Sequence, residues 1–175
     1  MSSLILAAVL TTQCGAVRAA ADQCFENAAA RRHVNVNLLY AMAHVESRFN
    51  PAATNDKTGA MGEMQIHPSH LKWLSKYGIS ERDLYDECTN INVGAFLLSD
   101  FIRMYGNTWR AVGAYGAGNA RDKETARNGY AQLVQAEYLR ITREPRGRAT
   151  DSTKSPTPAV NQRARLGGRP MMVVD

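Results

Sequence analysis

No stretch of this 175-residue sequence is apolar for the roughly 20 residues that a standard membrane-spanning helix requires. Only three cysteines occur, too few for a disulfide-stapled mini-scaffold. Aromatic residues are sparse at 7%, and no segment alternates polar and apolar convincingly enough to predict a strand. Metal-ligand spacing is missing as well. His67 and His70 lie three apart around Pro68, His33 and His44 have no suitable neighbours, and no third ligand is at hand. No motif supports a serine or cysteine triad. No metal and no other cofactor is therefore expected. The net charge of +5 invites a nucleic-acid partner, but the charge is unevenly spread. Residues 143–175 carry seven basic and three acidic side chains, which leaves +1 for residues 1–142. The folding part is close to neutral and holds no nucleic-acid motif, so no nucleic-acid partner is expected.

What is present begins with a short apolar run, "SLILAAVL", followed by small residues in "AVRAAAD". That is the outline of a secretory leader over residues 1–21, although the usual basic residues before the apolar run are missing. A buried N-terminal helix is the alternative. Removal of the leader would take Cys14 with it and leave Cys24 and Cys88, an even pair that in an exported chain suggests one disulfide, with two buried thiols as the other possibility. Export places the mature protein in the periplasm, with no membrane insertion after the leader is gone and a monomer as the expected state.

Residues 22–143 read as one all-helical domain. "CFENAAARRH" suggests a short helix, and "NVNLLYAMAHVES" a second, capped by Asn35 or Asn37. "NPAATNDKTGAMGEMQIHP" is rich in turn formers and predicts a long loop, and long loops inside compact domains are usually functional. "PSHLKWLSKYG" fits a helix started by Pro68 and ended by Gly78, and "ERDLYD" one further turn. "CTNINVGAFLLSDFIRMYG" is the clearest helix, with Ile91, Ala95, Leu98, Ile102 and Tyr105 on one face and Thr89 or Asn90 as cap. "NTWRAVGAYGAG" and "NGYAQLVQAEYLRIT" complete the set. Residues 144–175 are Pro-, Arg-, Gly- and Ser-rich with few large apolar side chains, which predicts a disordered basic tail.

Three places on this frame can carry chemistry. Leu39, Met42 and Glu46 share one face, which puts a carboxylate in the last turn of a mostly apolar helix before Pro51. An apolar setting raises a carboxyl pKa, and an acid still protonated at neutral pH can donate to a leaving oxygen, as glycosidic cleavage requires. On spacing alone, a solvent-facing glutamate is the plainer alternative. "GAMGEMQIHP" pairs glycines, which allow close backbone approach, with Gln65, whose amide suits sugar hydroxyls or acetamido groups. "AVGAYGAG" places Tyr115 beside helix-ending glycines, where it either reaches a ligand or packs in the core.

Taken together and in order, "ES-x-x-NP", "GA-x-G-x-MQI-x-P" and "AY-x-AG" resemble the catalytic domain of the soluble lytic transglycosylases, a lysozyme-like fold related to goose-type lysozyme. "CF" at Cys24, "HL" at His70 and "CTNINVGAFLL" resemble the small exported branch that accompanies type III and type IV secretion, conjugation and pilus machinery. The resemblance covers about residues 24–141. It implies that Glu46 is the catalytic acid and that Gln65 and Tyr115 line the sugar groove. Asn55 is a further expected groove residue, and Glu63, Met64 and His67 share the loop that borders the groove. This chain departs from the pattern at Glu63, where the family has an aliphatic residue, at His67, and at Gly116, where it has asparagine. The glycine-rich loop is also shorter than in the secretion-associated branch and lacks the aspartate often found there.

The mechanism implied by the resemblance is cleavage of the β-1,4 bond between N-acetylmuramic acid and N-acetylglucosamine in peptidoglycan glycan strands. Glu46 protonates the glycosidic oxygen and then takes a proton from the C6 hydroxyl, which closes a 1,6-anhydro ring without water or a second carboxylate. Two alternatives stay open. One is a hydrolytic lysozyme using Glu63 or a water as second participant; the other is a non-catalytic peptidoglycan-binding scaffold of a secretion apparatus, whose components are possible partners. For Glu63, a solvent-facing or hydrogen-bonded structural role is favoured over a groove position.

Overall fold

The computed structural model describes residues 19–143. Most of the expected leader, with Cys14, and the whole basic tail lie outside the described residues. Six α-helices and several single turns of 3-10 helix make up the described part: α1 over residues 19–32, α2 Val36–Ser47, α3 Leu71–Leu74, α4 Glu87–Tyr105, α5 Trp109–Ala117 and α6 Glu124–Arg143. Among the described residues there is no strand, only isolated bridges from Met61 to Thr54 and to Ile66.

The core forms where α2, α4, α5 and α6 turn their apolar faces on one another. Leu38, Leu39 and Met42 of α2, Ile91, Ala95 and Leu98 of α4, Val112 of α5 and Val134 of α6 are all essentially inaccessible to solvent. α5 runs antiparallel to α6: the Trp109 ring meets Tyr138, while Gly113 and Gly116 lie against Arg127 and Tyr130. Buried Arg127 closes this pair by donating to the carbonyls of Gly118 (3.1 Å) and Ala120 (2.7 Å) and to Glu124 (2.6 Å). The Gly118 bond satisfies a carbonyl at the end of α5 that the helix itself leaves unpaired. Across the core from α6, Cys24 of α1 and Cys88 of α4 are joined by a disulfide, with their Cα atoms 5.2 Å apart.

Three local expectations change. The segment after Pro68 is not one helix. It is a 3-10 turn (Pro68–His70), one turn of α-helix (Leu71–Leu74) and a second 3-10 turn (Ser75–Tyr77), closed by Gly78 in the left-handed conformation. The cap of α4 is neither Thr89 nor Asn90. Asp86 accepts the Thr89 N–H at 2.9 Å, and α4 therefore starts before the cysteine. Asn90 is released for another use, described below. α6 also begins earlier than its apolar pattern, at Glu124.

Candidate active site

Glu46 sits in the last turn of α2, where the sequence puts it, and the chain then turns sharply. Arg48 (φ 55°) and Phe49 (φ 63°) both occupy the left-handed region, unusual for residues with side chains. The Arg48 N–H reaches back to the His44 carbonyl at 3.0 Å, so the helix ends on an αL cap without a glycine. Ser47 then fastens the following loop. Its hydroxyl donates to the Glu63 carbonyl at 2.9 Å and accepts the Asn50 N–H at 3.0 Å.

That loop is anchored on two further sides. Asn90, fully buried in α4, donates to the carbonyls of Met61 (2.9 Å) and Leu84 (2.7 Å) and accepts the Met64 N–H (2.7 Å). Gly62 at φ 73° passes directly over it; a Cβ there would fall 2.2 Å from the Asn90 amide nitrogen, so only glycine fits. From α5, the Tyr115 hydroxyl donates to the Met64 carbonyl at 2.7 Å. The loop residues Gly62–Gln65 are thus held by α2, α4 and α5 at once.

Burial raises the Glu46 carboxyl from the usual carboxylate range to about 7, partly opposed by a hydrogen bond from Tyr130. That bond runs from the Tyr130 hydroxyl to Glu46 Oε1 at 2.5 Å. Burial, with the nearby Glu46 charge adding to it, pushes the Tyr115 and Tyr130 phenols well above their normal range, so both stay protonated donors. A carboxylic acid whose Oε1 accepts from Tyr130 keeps its own proton on Oε2. That second oxygen has no hydrogen bond to the protein among the described residues. Glu46 is thus a near-neutral acid with one oxygen fixed and the other available.

Tyr130 was not among the residues singled out in the sequence. It comes from α6, 84 residues after Glu46, and looks like one more member of that helix's apolar face. Its approach depends on Gly116: the Tyr130 ring fills the space where a side chain would start, 2.4 Å from an ideal Cβ. The sequence marked Gly116 as a departure and offered no reason for it. Two residues before Glu46, His44 Nδ1 lies 3.1 Å from the Glu137 carboxylate of α6, which also binds Arg140 at 2.6 Å. Glu137 is therefore a polar tie between α6 and α2.

The other expected site residues fall into two groups. Tyr115 is half-buried beside Glu46, and Gln65, next in the chain to Met64, is half-buried with φ 49°; its amide donates to the Gly62 carbonyl at 2.9 Å. Asn55 is exposed, and its side chain accepts the N–H groups of Lys57 (3.0 Å) and Thr58 (3.2 Å), which shapes the loop. His67 is exposed and caps the Pro68–His70 turn by accepting the Ser69 N–H at 3.2 Å. Met64 and Glu63 differ from expectation. The Met64 side chain is wholly buried against Gly94 of α4, and so does not line a groove. Glu63 is not solvent-facing: it is 1% exposed, and its buried Oε2 has no hydrogen-bond partner. Burial and the nearby Glu87 charge raise its carboxyl to about 7. A separate cavity of about 380 Å³ between Tyr105, Trp109, Glu124 and Gln132 contains none of these groups.

Comparison with known proteins accords with this geometry. The family model for the transglycosylase SLT domain matches residues 23–137. Invasion protein IagB of Salmonella typhimurium is 38% identical over 122 residues, 67% of this chain and 76% of that protein. Protein IpgF of Shigella flexneri is 40% identical over 125 residues, 69% of this chain and 82% of its own. Among solved structures, the 70 kDa soluble lytic transglycosylase SLT70 of Escherichia coli aligns with a TM-score of 0.60 at 25% identity, and the lytic transglycosylase Slt of Pseudomonas aeruginosa with 0.58 at 26%. Each alignment covers 69% of this chain but 24% of the solved one, so the chain spans about a quarter of those larger proteins. The helical frame and the matched domain agree: the chain belongs to the SLT lytic transglycosylase family.

Proposed function

We propose that the protein cleaves the β-1,4 bond between N-acetylmuramic acid and N-acetylglucosamine in peptidoglycan and closes a 1,6-anhydro ring on the muramyl product. The observation that carries this reading is the state of Glu46: a carboxyl held near neutrality by burial, with Tyr130 bound to one oxygen. A group with a pKa near the working pH serves both as acid and as base. In the first step the Oε2 proton passes to the glycosidic oxygen while the C1–O bond breaks. Positive charge develops on the muramyl ring, assisted by the substrate's own acetamido group. In the second step the Glu46 carboxylate takes the proton of the C6 hydroxyl, whose oxygen attacks C1. No water enters the balance. Tyr130 keeps Glu46 in one rotamer through both steps, and Tyr115 and Gln65 belong to the wall of the groove.

The hydrolytic alternative needs a second carboxylate or a positioned water. Glu63, the first suspect, is buried, and the carboxylate that acts on it is Glu87 rather than Glu46. That favours the single-acid route. The relationship to a protein named for invasion supports a role in opening the wall locally for an export or invasion apparatus, from the periplasmic side. The test is mass analysis of muropeptides released from purified sacculi. The expected products are 1,6-anhydromuramyl species, with Glu46→Gln inert yet folded. Reducing-end sugars as the main product would replace this reading with a lysozyme.

A further inference from the structure

Among the described residues, Glu63 is a buried carboxyl with an unpartnered oxygen. A carboxyl this deeply buried normally has an ion-pair or hydrogen-bond partner, because an unpaired charge in a low-dielectric interior is very costly. The Glu63 Oε2 has neither. The groups facing it offer no positive charge. Ser47 of α2 donates to the Glu63 backbone carbonyl, not to its carboxyl. From α4 the ionisable neighbour is Glu87, itself raised by burial and by the charges of Asp86 and of Asp22 on α1. The Tyr115 phenol of α5 is committed to the carbonyl of the residue after Glu63, Met64. An ionised Glu63 would therefore sit buried beside a second carboxylate with nothing to offset it.

Its place in the chain gives that instability a direction. Glu63 lies between Gly62, which only glycine can fill, and Met64, whose N–H and C=O are the tie points of Asn90 and Tyr115. Its own carbonyl is the tie point of Ser47, the residue after Glu46. A Glu63 side chain that leaves for water must pull this segment with it. The bonds at risk are those that hold Gln65, Tyr115 and the end of α2 in register.

We propose that Glu63 is a proton latch on the substrate loop: protonated, it lets the Gly62–Gln65 segment seat against α2, α4 and α5; ionised, it unseats the segment and withdraws the groove wall from the glycan. The part of this that concerns glycan binding rests on the function proposed above, whereas the unseating itself does not. An aliphatic residue at this position, as in the family pattern, has no such sensitivity.

The test uses the unaltered protein first. Hydrogen exchange of the loop amides, corrected for the intrinsic pH dependence of exchange, is measured at about pH 6 and about pH 8.5, and the expected fall in protection is about tenfold or more. Helix amides of the core serve as the internal control and stay protected. In Glu63→Gln, and in Glu63→Leu should the amide disturb packing, loop protection becomes independent of pH. On soluble glycan fragments the parent's KM rises on the alkaline side, and the variants lose that rise while keeping the kcat decline that belongs to Glu46. Loop protection in the parent that does not change with pH overturns the proposal without any variant. So does a variant whose loop opens at alkaline pH as the parent's does. A loop that opens as expected in a protein whose products are not anhydro sugars would sink the proposed reaction and leave the latch standing.

Discussion

Gly116→Ala is the smallest change that tests how the Glu46 carboxyl is held. The added methyl would fall 2.4 Å from the Tyr130 ring, against the roughly 3.5–4.0 Å at which carbon atoms rest. The ring atoms in question are close to its root, so rotation of the far end of the side chain does not relieve the overlap. Tyr130 has to move by about 1 Å or more. Its hydroxyl is 2.5 Å from Glu46 Oε1, and a displacement of that size stretches the bond past the limit of a useful hydrogen bond. Overpacking of this kind costs roughly 1–3 kcal/mol. The lost hydrogen bond adds about 1 kcal/mol. The better helix propensity of alanine returns up to about 1 kcal/mol. The expected net effect is a destabilisation of about 1–3 kcal/mol, seen as a Tm lowered by several degrees, with turnover down by about tenfold or more because Glu46 loses its hydrogen-bond partner. Urea or thermal melts and a soluble-glycan assay measure both. The control is the same substitution in a Tyr130→Ala background, where the methyl meets empty space and Gly116→Ala becomes neutral or mildly stabilising. Equal effects of Gly116→Ala in the two backgrounds, or a variant as stable and active as the parent, would refute the reasoning.

Tyr130→Phe removes the hydrogen bond that lowers the Glu46 pKa, so the alkaline limb of the pH–rate profile should move upward while the maximal rate falls about tenfold; an unchanged or downward-shifted limb argues against Tyr130 as the partner of the acid. Stability should depend on pH through Glu63. Its carboxyl titrates near 4.5 when unfolded and about 7 when folded, so the folded state binds the extra proton, and the associated stability is present below about pH 4.5 and lost as pH rises through 7. Glu63→Gln should flatten the decline in denaturation experiments across this window, whereas an equally steep decline in the variant counts against a buried Glu63 carboxyl. Cys24→Ser opens a covalent loop with a sequence separation of 64 and should cost roughly 4 kcal/mol on loop-closure entropy, read as a lower urea midpoint with activity retained at low temperature; an unchanged midpoint would mean the bridge constrains little.

Much of the architecture was written in local pattern. The faces of α2 and α4, the loop between them and the turn at Gly118 follow from apolar spacing and from glycine and proline, because these depend on neighbours a few residues away. Glu46 was legible for the same reason: a carboxylate on an apolar face just before Asn50–Pro51 is a local anomaly, and the motif order around it pointed to the family. The cysteine count offered Cys24 and Cys88 as a pair once the leader is removed, with two buried thiols as the other possibility, and the structure joins them. What the chain could not announce were the partners brought from afar. Tyr130 reads as a core tyrosine until α6 lies antiparallel to α5 and Gly116 opens the space for it. Asn90 reads as a cap until Asp86 takes that task and leaves its amide to hold three backbone groups of other segments. Glu63 reads as a loop residue with a choice of solvent or groove, and only the convergence of α2, α4 and α5 on one short segment closes both exits. Periodicity records which side of an element is buried; what a polar group meets inside depends on which elements pack together, and contacts between residues tens of positions apart leave no periodic trace in either one.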